Sequence, residues 1–213
     1  MRRVLQSEKL FLFSYFLAII ALGTIVLYLP FSWKGAQKLS LIDALFTATS
    51  AVCVTGLITV DTPAYSILGQ VMILLLIQAG GLGIITFSTI YLARPRGRIS
   101  LIRHRIIRGY YLESSGLGAT AIVRRIVAVT LSFEFVGTMI LFRAFRGSVS
   151  ENRLFVSLFH AVSAFCNAGF SLFSNNLEGY ATNTLVSLTI MALVVFGGLG
   201  FVVLRDVAAT ATV

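Results

Sequence analysis

The stretch Leu45-Phe46-Thr47-Ala48-Thr49-Ser50-Ala51-Val52-Cys53-Val54-Thr55-Gly56-Leu57 recurs without gaps as Leu158-Phe159-His160-Ala161-Val162-Ser163-Ala164-Phe165-Cys166-Asn167-Ala168-Gly169-Phe170. Leu, Phe, Ala, Ser, Ala, Cys and Gly match in register, more than shared hydrophobicity alone would give. Downstream of each copy, a long apolar stretch carries the same tetrad, Gly80-Gly81-Leu82-Gly83 and Gly197-Gly198-Leu199-Gly200. An internal repeat constrains architecture more firmly than any isolated motif. The unit is about half the chain.

The surroundings of the repeat are those of a membrane protein. The chain has 213 residues, 57% hydrophobic and 12% charged, against roughly 45–50% and about 25% in soluble domains. Charge-free runs cover residues 10–33, 62–93 and 179–204, each longer than the roughly 20 apolar residues that cross a bilayer. A weaker fourth run lies between Arg125 and Arg143, interrupted by Glu134. Arg2 and Arg3 ahead of the first run suggest a signal peptide, but that run is too long and no small-residue cleavage site follows. Cys53 and Cys166 both fall in apolar segments, so neither disulfide nor zinc spacing applies.

Each unit therefore reads as a spanning helix, a short apolar segment, a glycine-bearing turn, a polar return and a second spanning helix. Spans are expected at 10–30, 66–93, 121–142 and 184–204. The chain divides into a first helix–pore-loop–helix repeat (1–93), a basic cytoplasmic linker (94–120) and a second repeat (121–213). The short segments, 41–52 and 154–165, would make helices of only about 18 Å at 1.5 Å per residue. Half a bilayer is too little to span, so both are expected to be re-entrant. Ser40 and Asp43 stand in the S-x-x-D relation that caps free N–H groups, and Ser148 and Glu151 offer a looser start to the second. The segments that follow are polar enough to be costly beside lipid and must face protein or a water-filled pore.

These features suit cation passage. A potassium ion gives up its water only where carbonyl oxygens replace it, and rings of backbone carbonyls do so in channel filters. Such a backbone needs positive φ, which glycine supplies without steric cost. Gly56 in Cys53-Val54-Thr55-Gly56 and Gly169 in Cys166-Asn167-Ala168-Gly169 are the candidates. The negative end of each short helix would favour a cation nearby. No charged side chain is present in either tetrapeptide.

These loops, with the two glycine-rich helices, resemble the first and second pore loops of the Trk/Ktr/HKT superfamily of potassium transporters. The resemblance runs over essentially the whole chain. It implies an all-α membrane protein with a potassium-channel-like pore, in which Gly56 and Gly169 each contribute to the filter. Some plant members carry serine at the first position and prefer sodium, so Gly56 implies potassium. The family has four repeats per chain around one pore and this sequence has two. The expectation is a truncated product, or a pore completed by oligomerisation or by a remaining half. A cytosolic nucleotide-binding regulatory subunit is also implied as partner, with nucleotide bound there only.

The net charge of +9 is concentrated at Arg94, Arg96, Arg98, Arg103, Arg105, Arg108, Arg124 and Arg125. With Arg2, Arg3 and Lys9 it places that side, and both termini, in the cytoplasm of a multi-pass plasma-membrane protein. The cluster reads as a topology signal in contact with anionic lipid, or as a docking surface for the cytosolic partner, rather than as a nucleic-acid site. The glycine tetrads lack dinucleotide-binding spacing and read as small residues that let helices approach. Thr55 is expected to contribute a hydroxyl or only its carbonyl, and Asn167 an amide that braces the filter. Both cysteines are expected to be buried behind it. His160, in place of Thr47, reads as a satisfied histidine. Glu134, ionisable within a span, reads as functional or as paired to a neighbouring helix. No nucleophile–base pair supports an enzyme.

Overall fold

The computed structural model describes residues 2–93, 119–149 and 152–210. Six α-helices lie among them: α1 (Arg2–Tyr28), α2 (Leu41–Val52), α3 (Ile67–Ala93), α4 (Ala119–Ala144), α5 (Arg153–Phe165) and α6 (Thr184–Thr210). The all-helical expectation holds for these residues, and the order long–short–long occurs twice. Helices of 27, 27, 26 and 27 residues (α1, α3, α4, α6) are each about 40 Å long at 1.5 Å per residue. The stretches Ile67–Ile84 and Val123–Ala144 are long and apolar enough to cross a membrane; shorter apolar stretches, Phe13–Tyr28 and Thr184–Leu199, lie in α1 and α6. Of the expected linker, residues 94–118 lie outside the described ones. Arg124 and Arg125 belong to α4, where both are exposed.

The exterior is greasy. Leu17 and Leu22 on α1, Leu75 on α3, Phe135 on α4 and Val195 on α6 are all more than half exposed. Large apolar side chains exposed on every long helix suit hydrocarbon surroundings. Buried hydroxyls are returned to their own helices, as from Thr24 to the Ile20 carbonyl (2.8 Å) and Thr189 to Leu185 (2.6 Å). Such pairing meets these hydroxyls where water is excluded.

Helix α2 begins as its sequence dictates. Ser40 Oγ accepts from the Asp43 N–H at 3.0 Å and donates to Asp43 Oδ2 at 2.6 Å. Hydrogen bonds from Ser40 and then Thr59 hold the Asp43 carboxyl below its ordinary pKa, so it remains an anion in the helix's positive first turn. The second start differs from expectation. Ser148 is used in a tight turn, its N–H donating to the Phe145 carbonyl, with Gly147 at φ 89°. The helix opens instead on Asn152, left-handed at φ 49° and without a side-chain cap. A short polar side chain tolerates that conformation. Glu151 lies outside the described residues.

Both short helices are wedged between long ones: α2 packs on α1 and α3, α5 on α4 and α6, and α3 also touches α4, α5 and α6. One core joins Leu27, Val52, Ile73 and Ile77 of the first unit to Phe159, Val162, Cys166 and Phe170 of the second. The two units thus share a core. The C-terminal end of α1 and the N-terminal end of α3 are fastened by Ser66 Oγ donating to the Phe31 carbonyl (2.6 Å) and by the Lys34 N–H to Ala64 (3.1 Å).

Candidate functional site

The two short helices end identically. The N–H groups of Cys53 and Cys166 make the last helical bonds, to Thr49 (2.8 Å) and Val162 (2.9 Å). Those of Val54 and Asn167 then reach Ala51 (3.2 Å) and Ala164 (3.0 Å), and those of Thr55 and Ala168 reach Ser50 (2.9 Å) and Ser163 (2.7 Å). This double closure requires one left-handed residue. Val54 (φ 52°) and Asn167 (φ 58°) supply it. Asparagine accepts that conformation readily, whereas a β-branched valine there is an outlier. The cost is about 1–2 kcal/mol, a kind of strain that concentrates at functional sites. Two residues on, Gly56 (φ 73°) and Gly169 (φ 75°) turn left-handed again, as expected.

The loops meet at these glycines. A Cβ built on Gly56 would lie 2.5 Å from the Ala168 carbonyl oxygen and 3.1 Å from Gly169 Cα, and one on Gly169 would lie 3.5 Å from Gly56 Cα. Backbone faces backbone, with no room for a Cβ on Gly56. The C-termini of α2 and α5 lead into this junction, so the negative ends of two helix dipoles fall beside it. Among the described residues no group of three or more His, Cys, Asp or Glu could hold a metal ion. What the loops offer is carbonyl and hydroxyl oxygen, the donor set of a hard cation.

The side chains mostly turn away from the junction. Thr55 Oγ1 donates to Ser50 Oγ (2.9 Å), which spends its hydroxyl on the helix end. Asn167 Nδ2 reaches the carbonyls of Phe165 (3.4 Å) and Val194 (3.3 Å), bracing the second loop on α6. Cys166 is buried, as expected, but Cys53 is exposed, contrary to expectation. The difference is one of neighbours. Cys166 Sγ lies where a Cβ on Gly81 would approach within 2.8 Å, so a first-unit helix covers the second-unit cysteine. No described helix covers Cys53 in the same way.

Behind the loops, one repeat position holds both return segments. Tyr65 donates to Thr47 Oγ1 at 3.0 Å. At the equivalent position, His160 is wholly satisfied: Nδ1 lies 2.8 Å from the Val156 carbonyl and Nε2 2.9 Å from Ser171 Oγ. The carbonyl can only accept, so Nδ1 carries the hydrogen and Nε2 accepts from Ser171. The ring stacks on Phe173 at 4.8 Å. A second pair adds Ser163 Oγ donating to the Phe170 carbonyl at 2.7 Å. Ser50, Ser163, Tyr65 and Ser171 were not singled out from the sequence. The shared serine of the repeat is the signal that could have found the first two.

The tetrads seat the long helices on the short ones. Gly80 sits against the Val52 carbonyl and Gly197 against that of Phe165, both so closely that neither could carry a Cβ. Glu134 does pair with a neighbouring helix, its Oε2 accepting from Gln78 Nε2 at 3.2 Å.

Comparison with known proteins gives the chain a family. Residues 5–213 match the family model TrkH, described as cation transport protein. The chain is 40% identical over 196 residues to the Ktr system potassium uptake protein B of Bacillus subtilis, covering 91% of this chain and 43% of that protein. It is 38% identical to its namesake in Vibrio alginolyticus, covering 90% and 42%. With the potassium/sodium uptake protein NtpJ of Enterococcus hirae it shares 34% identity, covering 97% and 46%. The chain spans less than half the length of these curated relatives. Its match to the family model runs over nearly all of its own length, and the chain belongs to the TrkH family of cation transport proteins, a family of transporters and not of enzymes.

Proposed function

We propose that this chain forms half of a potassium-conducting pore, with Cys53–Gly56 and Cys166–Gly169 lining its selectivity filter through their carbonyls. The observation that carries the reading is the junction at Gly56 and Gly169, where two loops of alternating φ sign meet backbone to backbone. Alternating left- and right-handed residues turn successive carbonyls toward one side, which is what a dehydrated cation needs. Potassium is the substrate favoured by the filter glycines and by the uptake described for the relatives. Ions move down their electrochemical gradient, and the second reading, a non-conducting membrane scaffold that keeps the fold, is an outcome of the test below.

The pore is completed by further repeats, from a second copy or from a remaining half. Two loops line about half of a four-loop ring, and an open side would leave loop backbone facing lipid. The cysteines mark the same gap. Gly81 covers Cys166, but the equivalent Gly198 is exposed, where an added Cβ would meet Asn167 Nδ2 at 3.9 Å, and Cys53 is exposed too. Each is one half of a contact that is made once among the described residues. Native mass in mild detergent, taken with potassium flux into liposomes, tests this: conduction is expected only from species with four loops. A stable, conducting monomer would refute the larger-pore reading, and four-loop species without flux would favour the scaffold.

Orientation follows from the arginines of the 94–125 region. The termini are cytoplasmic, the loops open outward, and the basic segment faces anionic lipid or a cytosolic nucleotide-binding regulatory subunit. In a background lacking Cys53 and Cys166, a cysteine at Ser100, which lies outside the described residues, should label only from the cytoplasm. One at the exposed Asn175 should label only from outside. Reversed sidedness would overturn the topology.

A further inference from the structure

We propose that Glu134 is a positioning residue for the second loop, acting through Gln78 on Cys166. The three side chains form a polar chain across the seam between the two units. Glu134, on α4 of the second unit, is 3% exposed. Its Oε2 accepts from Gln78 Nε2 on α3 of the first unit at 3.2 Å. The other end of the same amide, Gln78 Oε1, lies 3.9 Å from Cys166 Sγ, whose S–H donates. Cys166 is the residue on which α5 ends and the second loop begins. One helical turn beyond Gln78, Gly81 leaves the space that Cys166 Sγ occupies.

Packing alone does not account for a glutamate here. Glu134 Oε1 is buried with no hydrogen-bond partner among the described residues, and a buried polar atom left unmet is destabilising and calls for a functional explanation. Apolar side chains in place of both Glu134 and Gln78 would be close to neutral for stability. Glutamate instead offers an acceptor that fixes which way the Gln78 amide points. With Nε2 held toward Glu134, Oε1 is presented to the thiol; without that acceptor the amide can turn over and lose both contacts. The second unit carries no equivalent amide, since Val195 stands at the repeat position of Gln78. The inference rests on the proposed role of the second loop in the filter, but its geometry can be read without any ion flux.

The test uses Cys53→Ser, which leaves Cys166 as the one cysteine of these 213 residues, in the full chain as purified in its native assembly, with any thiol outside them replaced. The readout is the rate at which a small methanethiosulfonate reagent modifies Cys166, measured beside the melting temperature. Glu134→Leu and Gln78→Leu should each raise that rate on the order of tenfold, the factor that losing one net hydrogen bond gives to a local opening. The double variant should exceed neither single one, because both break the same chain. Glu134→Gln, which keeps an acceptor of the same shape, should restore the rate to within about twofold of the parent. Thr138→Val removes a neighbouring buried hydroxyl whose bond stays within α4, and it should leave the rate unchanged. Should Glu134→Leu fail to fold, Gln78→Leu against Glu134→Gln carries the same comparison. Unchanged labelling in the leucine variants, no rescue by glutamine, or equal acceleration by Thr138→Val would each overturn the proposal. Failure of conduction would count against the pore reading and leave this readout intact.

Discussion

Gly56→Ser is expected to lower the preference for potassium over sodium by about tenfold in any conducting assembly that contains this chain. Left-handed backbone at φ 73° is free for glycine and costs a residue with a Cβ about 1–2 kcal/mol. At roughly 1.4 kcal/mol per factor of ten, strain of that size is enough for the expected change where its relief displaces a ligand of the ion. The added Cβ also meets backbone rather than a yielding side chain, 2.5 Å from the Ala168 carbonyl oxygen. That carbonyl belongs to the second loop, so relief of the clash moves a proposed ligand of the ion. Gly169→Ser has the same backbone strain at φ 75° but only Gly56 Cα nearby, at 3.5 Å. Its effect should be smaller. Relative uptake of the two ions into a potassium-starved host, at matched expression, checks both the loss and the ordering. An unchanged ratio for Gly56→Ser would remove Gly56 from the filter.

The sequence carried this much because the repeat is written in residue types with strong local meaning. Glycines at 56 and 169 announce positive φ, Ser40 and Asp43 announce a helix start, and alternation of long and short apolar runs separates spans from half-helices. The short helices accordingly begin and end within one residue of expectation, at Leu41–Val52 and Arg153–Phe165. What stayed hidden depends on tertiary neighbours. Nothing in the type of Val54 signals a left-handed conformation; only its register with Asn167, a residue that accepts that conformation, could have suggested it. The cysteines look equivalent in sequence and differ because one long helix, α3, reaches from the first unit across the second. The cap at Asn152 was missed because Ser148 is consumed by the turn that leaves α4. Gln78, an amide in an otherwise apolar stretch, gains its meaning only when Glu134 is found beside it.

Gly80→Ala and Gly197→Ala are expected to destabilise the protein by about 3 kcal/mol each, the upper end of ordinary overpacking. In both, the new methyl group would meet a main-chain oxygen, Val52 or Phe165, at the very end of a short helix. A long side chain could swing aside, but that carbonyl is fixed by the helix to which it belongs. The long helix must therefore lift, and the loop that the short helix supports moves with it. Gly198→Ala gives the contrast. Within one chain its nearest neighbour is Asn167 Nδ2 at 3.9 Å, ordinary contact distance, and alanine is the better helix former by about 1 kcal/mol. The isolated chain should tolerate or gain from the change. If Gly198 meets a cysteine of the next repeat as Gly81 meets Cys166, the same substitution must weaken assembly, because the methyl group occupies the space of the thiol. Melting temperatures of the monomeric chain and native mass of the assembly read the two effects separately. Intact assembly in Gly198→Ala would break the symmetry on which the larger pore is inferred, while tolerance of Gly80→Ala would mean that the tetrads do not seat the long helices on the short ones.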